Sequence, residues 1–224
     1  MVGLEARVTS SVPSRVGSQA GDRSTKSNCA RSGLPPNRPL AGGAKLLWLG
    51  WLLATSLGWA VGWFVGATFY GETFGGFVSG GLGGSLGWIG QAAILSVVER
   101  RLSVYWALSS VAFWLAGLGL GMALSFLAAG YVHPTPIAIA LGVLLTGVSQ
   151  WLVLRSRVRR AGWWPIVLVL GFVVGGSAVS LVRLISGGAV LGGLGGAILG
   201  AGIGLTTGLA VTRLWRGNGA SRST

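Results

Sequence analysis

One apolar hairpin is written into this chain three times, and that repetition limits the possible folds more than any single motif does. Ile89-Gly90-Gln91, running through Leu95 to Arg100-Arg101, returns as Val148-Ser149-Gln150, running through Leu154 to Arg159-Arg160. A weaker third copy, Leu205-Thr206-Thr207 to Arg213, follows at nearly the same interval. The stretches preceding the copies match as well: Gly58-Trp59 with Gly62, Phe113-Trp114 with Gly117, and Gly171-Phe172 with Gly175. That interval is longer than the common solenoid repeats, and each unit has room for two membrane spans of about 20 residues.

The composition places those hairpins in a membrane. Hydrophobic residues make up 51% of the chain and charged residues 9%, with a mean hydropathy of +0.70. A soluble domain carries roughly a quarter of its residues as charges. Here the charges cluster at the ends of long uncharged stretches. The net charge of +13 does not read as a nucleic-acid footprint, because the positives edge apolar runs instead of forming a face interleaved with stacking aromatics.

Six apolar runs are long enough to cross a bilayer: Leu46 to Tyr70, Phe74 to Val98, Val104 to Ala129, Ile137 to Leu154, Trp163 to Ile185 and Ala189 to Leu214. Thr73, Ser103, Thr135 and Ser186 read as helix N-caps, and Pro165 suits the first turn of the fifth helix. Arg100 and Arg101 follow the second run, and Arg155, Arg157, Arg159 and Arg160 follow the fourth. Arg213, Arg216 and Arg222 end the chain, and Arg7, Arg15, Arg23, Lys26, Arg31, Arg38 and Lys45 precede the first run. The other side holds only Glu72, His133 and Arg183. The positive-inside rule then places both termini in the cytoplasm of a plasma (inner) membrane protein. Trp48, Trp51, Trp106, Trp151, Trp163, Trp164 and Trp215 lie near the basic boundary, as an interfacial aromatic belt would.

The expected fold is therefore all-α: a polytopic helix bundle of six spans arranged as three parallel two-helix repeats. Each repeat returns the chain to the same side, so the repeats are related by an axis along the membrane normal. The repeats run about 45–101, 102–160 and 161–214 within a transmembrane domain of 45–214, and 215–224 form a short cytoplasmic tail. Residues 1–44, rich in Ser, Arg, Gly and Pro, read as a disordered basic cytoplasmic segment. That segment lacks the apolar region of a secretory signal. It superficially resembles an organelle transit peptide, or it is upstream sequence from a wrongly chosen start.

Glycines recur at every fourth residue. Gly188, Gly192, Gly196, Gly200, Gly204 and Gly208 mark the sixth span; Gly58, Gly62 and Gly66 the first; Gly76, Gly80 and Gly84 the second; Gly117 and Gly121 the third. Lipid gives helices no hydrophobic reason to pair, so small residues that let backbones approach are expected packing seams. A period of four drifts about 40° per step around a straight helix. The sixth-span stripe must therefore cross one partner right-handedly or contact two neighbours in turn.

Gln91, Gln150 and Thr207 hold the same position in the three copies. They are either interhelical hydrogen-bonding groups or a polar ring lining a pore or solute site. Arg183 is expected to snorkel to the headgroups, or to pair with Glu72, and His133 to sit in a solvated turn. Between Leu46 and Leu214 the only acidic residues are Glu72 and Glu99, at the boundaries. That argues against a proton- or sodium-coupled transporter. One Cys and one His exclude an intrachain disulfide and most metal or acid–base constellations. Gly147-Val148-Ser149-Gln150 lacks the final glycine and the partner histidine of a rhomboid-type serine protease, and the glycine-rich run from Gly187 to Gly204 follows no strand. No enzyme, catalytic residue, cofactor or metal is expected.

Gln150-Trp151-Leu152-Val153-Leu154-Arg155 with Ala161-Gly162-Trp163-Trp164 resembles a repeat of uncharacterised multi-pass membrane proteins of cyanobacteria and Chloroflexota. Gly50-Trp51 through Gly58-Trp59-Ala60-Val61-Gly62 resembles its companion helix. The second copy departs from the pattern at Ala92 and Ser96. The resemblance implies architecture and a bacterial origin, and no activity. Two readings of function lead. One is a structural or accessory membrane subunit acting through helix–helix contacts, with lipids and a membrane-protein partner or a second copy as its neighbours and no nucleic acid. The other is a passive channel or small-solute permease with Gln91, Gln150 and Thr207 as its ring.

Overall fold

The computed structural model describes residues 41–127, 134–158, 161–186 and 192–220. The expectations for residues 1–40, His133, Arg159, Arg160, Gly188 and Arg222, and for the side chains of Glu72 and Arg216, lie outside the described residues. The described chain is helical throughout, with no strand among the described residues. Its helices are α1 (Ala41–Phe69), α2 (Gly71–Ser96), α3 (Arg100–Leu127), α4 (Pro134–Arg155), α5 (Trp164–Ile185) and α6 (Gly192–Ala220), with a 3-10 turn, Ala161–Trp163, leading into α5. Apolar runs of this length satisfy their backbone polar groups internally, as a helix does and an open strand in lipid cannot.

Five segments are long and apolar enough to cross a membrane: Gly43–Phe69, Arg100–Leu127, Pro136–Arg155, Ala161–Ile185 and Gly192–Trp215. This is a multi-pass membrane protein. Six spans were expected, and α2 is the one that falls short on apolarity. Nine of its 26 residues are glycine, and it carries Ser79, Ser85 and Gln91. Glycine adds almost nothing to hydropathy.

Several helix ends differ from expectation. Ser103 does not cap α3; it lies inside that helix, its amide donating to Glu99 O at 3.1 Å and its hydroxyl to Arg100 O at 2.8 Å. Arg100 and Arg101 are good helix formers and carry the helix one turn beyond the apolar run. Ser186 ends α5, its amide donating to Val182 O at 2.9 Å, and does not start α6. Thr73 and Thr135 fall inside α2 and α4, while Pro165 does sit in the first turn of α5. Residues 41–44 belong to α1, and α6 continues past 214 to Ala220.

Each helix packs on its neighbours in sequence, and α6 returns to pack on α1, so the six helices close a ring. Two clusters of buried residues fill it, and every helix contributes to both. One surrounds Trp59, Trp88, Trp114, Leu168 and Ile203. The other surrounds Trp51, Leu95, Trp106, Leu154, Trp164 and Val211. Large apolar side chains such as Leu53, Leu57, Phe64, Val173 and Leu184 point outward, as lipid-facing positions should.

Glycines sit where these helices come closest. A Cβ on Gly58 would lie 2.7 Å from Gly87 Cα, and one on Gly62 would strike the Gly83 backbone. One on Gly117 would lie 2.5 Å from Gly142 Cα, and one on Gly121 2.7 Å from Ala138 N. One on Gly202 would lie 2.5 Å from Gly175 N. Along α6, Gly192, Gly196, Gly200, Gly204 and Gly208 all face α1, meeting Ala67, Trp59, Ser56, Leu52 and Trp48 in turn. From Gly192 to Gly208 the stripe therefore stays on one partner.

On α2 the approach to α1 is not made by Gly80 or Gly84. It is made by Gly75 against Gly66, Gly83 against Trp59, Gly87 against Thr55 and Gly90 against Ala54. Gly84 faces α3, where a Cβ would collide with the Trp114 indole. Gly80 accepts the Trp114 Nε1–H on its carbonyl at 3.0 Å. A helix with nine glycines carries more than one small face, and spacing alone does not say which neighbour each face meets.

Candidate functional site

Two groups of aromatic rings in the interior come from α1, α3 and α5. Trp51, Trp106 and Trp164, one from each, are fully buried. They touch pairwise edge to face, with centroids 5.7, 6.5 and 5.4 Å apart. Two turns further along the same helices, Trp59, Trp114 and Phe172 form a second trio at 5.8, 5.5 and 5.9 Å. In the second trio the Trp114 and Phe172 rings are tilted at 31° and the other two contacts are edge to face; such aromatic contacts are worth about 0.5–1.5 kcal/mol each beyond the area they bury. Trp51, Trp106 and Trp164 were expected in an interfacial belt. Position near a basic boundary suggested that, but a tryptophan at the membrane edge serves equally as an anchor or as a plug. Trp163, by contrast, is exposed.

Gln91, Gln150 and Thr207 are all fully buried beside these trios. Gln91 Nε2 donates to Thr55 Oγ1 at 2.9 Å, and Gln150 Nε2 donates to Ser110 Oγ at 2.9 Å. Each is a bond from the second helix of a hairpin to its first. Two tryptophans then bind a polar residue of a neighbouring hairpin. Trp164 Nε1 donates to Gln150 Oε1 at 2.7 Å, and Trp51 Nε1 donates to Thr207 Oγ1 at 2.9 Å. The same register would pair Trp106 Nε1 with Gln91 Oε1, and those two buried atoms are without hydrogen-bond partners. The polar residues thus lie against indoles.

That asymmetry predicts unequal effects. Gln150→Leu removes two bonds and strands a buried indole N–H; Gln91→Leu removes one and strands none, because Thr55 keeps its bond to Trp51 O at 2.8 Å. Membrane hydrogen bonds average about 0.6 kcal/mol, with a maximum near 1.7. Gln150→Leu is expected to lower stability by about 1–2 kcal/mol more than Gln91→Leu. Denaturant titration in detergent checks this, and equal losses would contradict it.

The sequence reading missed Thr55, Ser110 and the two aromatic trios. The signal was present: Trp51, Trp106 and Trp164 are spaced at the repeat interval, and Trp59, Trp114 and Phe172 follow them with the same spacing.

The charges lie toward the helix ends. Arg157 Nη2 pairs with Glu99 Oε1 at 3.0 Å, linking the turn after α4 to the turn after α2. The pair is largely solvent-exposed, so Glu99→Gln should cost no more than about 1 kcal/mol in the same titration. Arg155 stacks over Trp151 at 5.4 Å and Arg183 over Trp63 at 5.9 Å. Cavities open sideways between the described helices. One of about 520 Å³ between α3 and α4 is lined by Arg101, Tyr105, Ser109, Ser149 and Ser156 among others. A larger one of about 1250 Å³ between α4 and α5 is mostly apolar. Among the described residues no cluster of His, Cys, Asp and Glu could hold a metal ion. Compared with family models, curated proteins and solved structures, the chain matches none of them.

Proposed function

We propose that this chain is a structural or accessory subunit of a bacterial plasma membrane, working through its outer helix faces and carrying out no catalysis. The observation that carries this reading is the aromatic interior. Two aromatic trios lie one above the other between α1, α3 and α5. The candidate ring residues beside them are bonded to other side chains of the bundle: Gln91 to Thr55, Gln150 to Ser110 and Trp164, and Thr207 to Trp51. A bundle closed on itself in this way is a rigid body whose surface is the part free to act.

The finer architecture belongs to the same proposal. We take α2 as a sixth span because α1 crosses and α2 returns beside it along its length, from Gly90 at Ala54 to Gly75 at Gly66. Hydropathy understates a helix whose glycines face protein instead of lipid. Six spans and the basic ends put both termini in the cytoplasm. The hairpins α1–α2, α3–α4 and α5–α6 then form three parallel repeats about one axis. Supporting this are the matched trios and the matched close approaches Gly62 to Gly83, Gly117 to Gly142 and Gly175 to Gly202. These glycines act as packing seams within the chain.

The test is purification of the tagged protein from its native membranes in mild detergent, followed by native mass spectrometry. A stoichiometric membrane-protein partner, or a defined assembly of copies, is expected. A monomer that recovers no partner at any detergent strength would overturn the accessory reading.

A further inference from the structure

The α4–α5 junction is a wedge. At the end where the two helices are connected it is shut: Trp164 bonds Gln150 at 2.7 Å, and a Cβ on Gly147 would lie 3.1 Å from Pro165 Cα. Toward the other end the helices part around the cavity of about 1250 Å³, whose walls include Ala140, Leu144, Val169 and Gly176 and whose lining includes Arg183. Arg183 is exposed and lies over the Trp63 ring at 5.9 Å, which holds the cation at the mouth.

We propose that this groove binds an anionic phospholipid, its headgroup at Arg183 and an acyl chain running down between α4 and α5. Two observations select this occupant. Among the described residues Arg183 is the one charged group in the cavity lining, so the mouth complements a negative headgroup while the walls complement hydrocarbon. The depth also fits. On α5 the lining runs from Val169 to Leu184, and from Val169 to Arg183 the rise is about 21 Å at 1.5 Å per residue. One leaflet with its headgroups is about 20–22 Å, half of the full bilayer. A partner transmembrane helix would need a groove running the full hydrocarbon thickness of about 30 Å, and the Gln150–Trp164 clasp ends this one short of that. The site also accounts for a basic residue on the side that the positive-inside rule leaves poor in cations.

The test uses the full-length protein in mild detergent, titrated with phosphatidylglycerol or with phosphatidylcholine of the same chains, and native mass spectrometry to count bound lipid. Phosphatidylglycerol is expected to be retained at lower concentration. Arg183→Gln should erase that preference, a change of roughly fivefold, as for one basic side chain at an anionic membrane surface. Gly176→Phe should abolish retention of both lipids by filling the groove; a Cβ there has nothing within 4 Å, so the fold has room for it. Equal retention of the two lipids by the unaltered protein, or undiminished retention by Gly176→Phe, overturns the proposal. So does a co-purifying protein helix that cross-links at position 176 and excludes lipid. The proposal needs only a membrane setting, so its failure leaves the partner purification unaffected.

Discussion

Gly117→Leu is expected to prevent the bundle from closing. A Cβ at Gly117 would lie 2.5 Å from Gly142 Cα and 2.7 Å from Gly142 N. Those are backbone atoms, so relief requires moving α4 as a whole away from α3. Overpacking that side chains can absorb costs about 1–3 kcal/mol. Where an entire helix must shift, and with it Ala138 against Gly121, the cost should be at least about 3 kcal/mol. The control is two residues away. Gly119 lies on the same helix, and a Cβ there meets nothing within 4 Å. Gly119→Leu should change stability by no more than about 0.5 kcal/mol. Monodispersity in detergent and the unfolding midpoint followed by tryptophan fluorescence read both variants. Similar behaviour of the two would mean that α3 and α4 are not held at this distance.

The second large effect is expected from Trp164→Ala. This side chain is buried, contacts Trp51 and Trp106 with centroids 6.5 and 5.4 Å away, and donates to Gln150 Oε1 at 2.7 Å. Its removal leaves a cavity where three helices meet and strands a buried amide oxygen. Truncation of a buried Trp to Ala costs about 3–5 kcal/mol, and α4 and α5 also lose their clasp. Trp164→Phe restores ring packing without the N–H, so it should recover most of that loss and leave about 1–2 kcal/mol. If Phe were no better than Ala, the hydrogen bond and not the aromatic trio would be holding this end together.

Helix number and extent were legible because uncharged runs of about 20 residues leave a membrane chain little alternative. What each helix face meets was much less so. In a soluble helix the polar face marks the outside. Here lipid and protein interior are equally apolar, so Leu53, which is exposed, and Leu95, which is buried, are the same residue type on helices of similar composition. Only groups that lipid does not tolerate break the tie. Gln91, Gln150 and Thr207 could face protein or a polar path but not lipid, and they are buried. Tryptophan suits both the interface and the core, which is why Trp51, Trp106 and Trp164 read as a belt and lie inside. For α2 the reading of Phe74 to Val98 as a sixth apolar run was the less secure one. The glycines of that helix lower hydropathy while giving close contact with both α1 and Trp114 of α3.

An interior closed by two layers of aromatic rings should pass no solute. The decisive measurement is flux across liposomes holding the purified protein, for water, glycerol and monovalent ions, beside protein-free vesicles. A sealed axis requires the two sets of vesicles to leak at the same rate, and Gln91→Leu with Gln150→Leu to change nothing. Protein-dependent flux that disappears in that double variant, with the fold intact, would mean the ring lines a path and that the channel reading is correct.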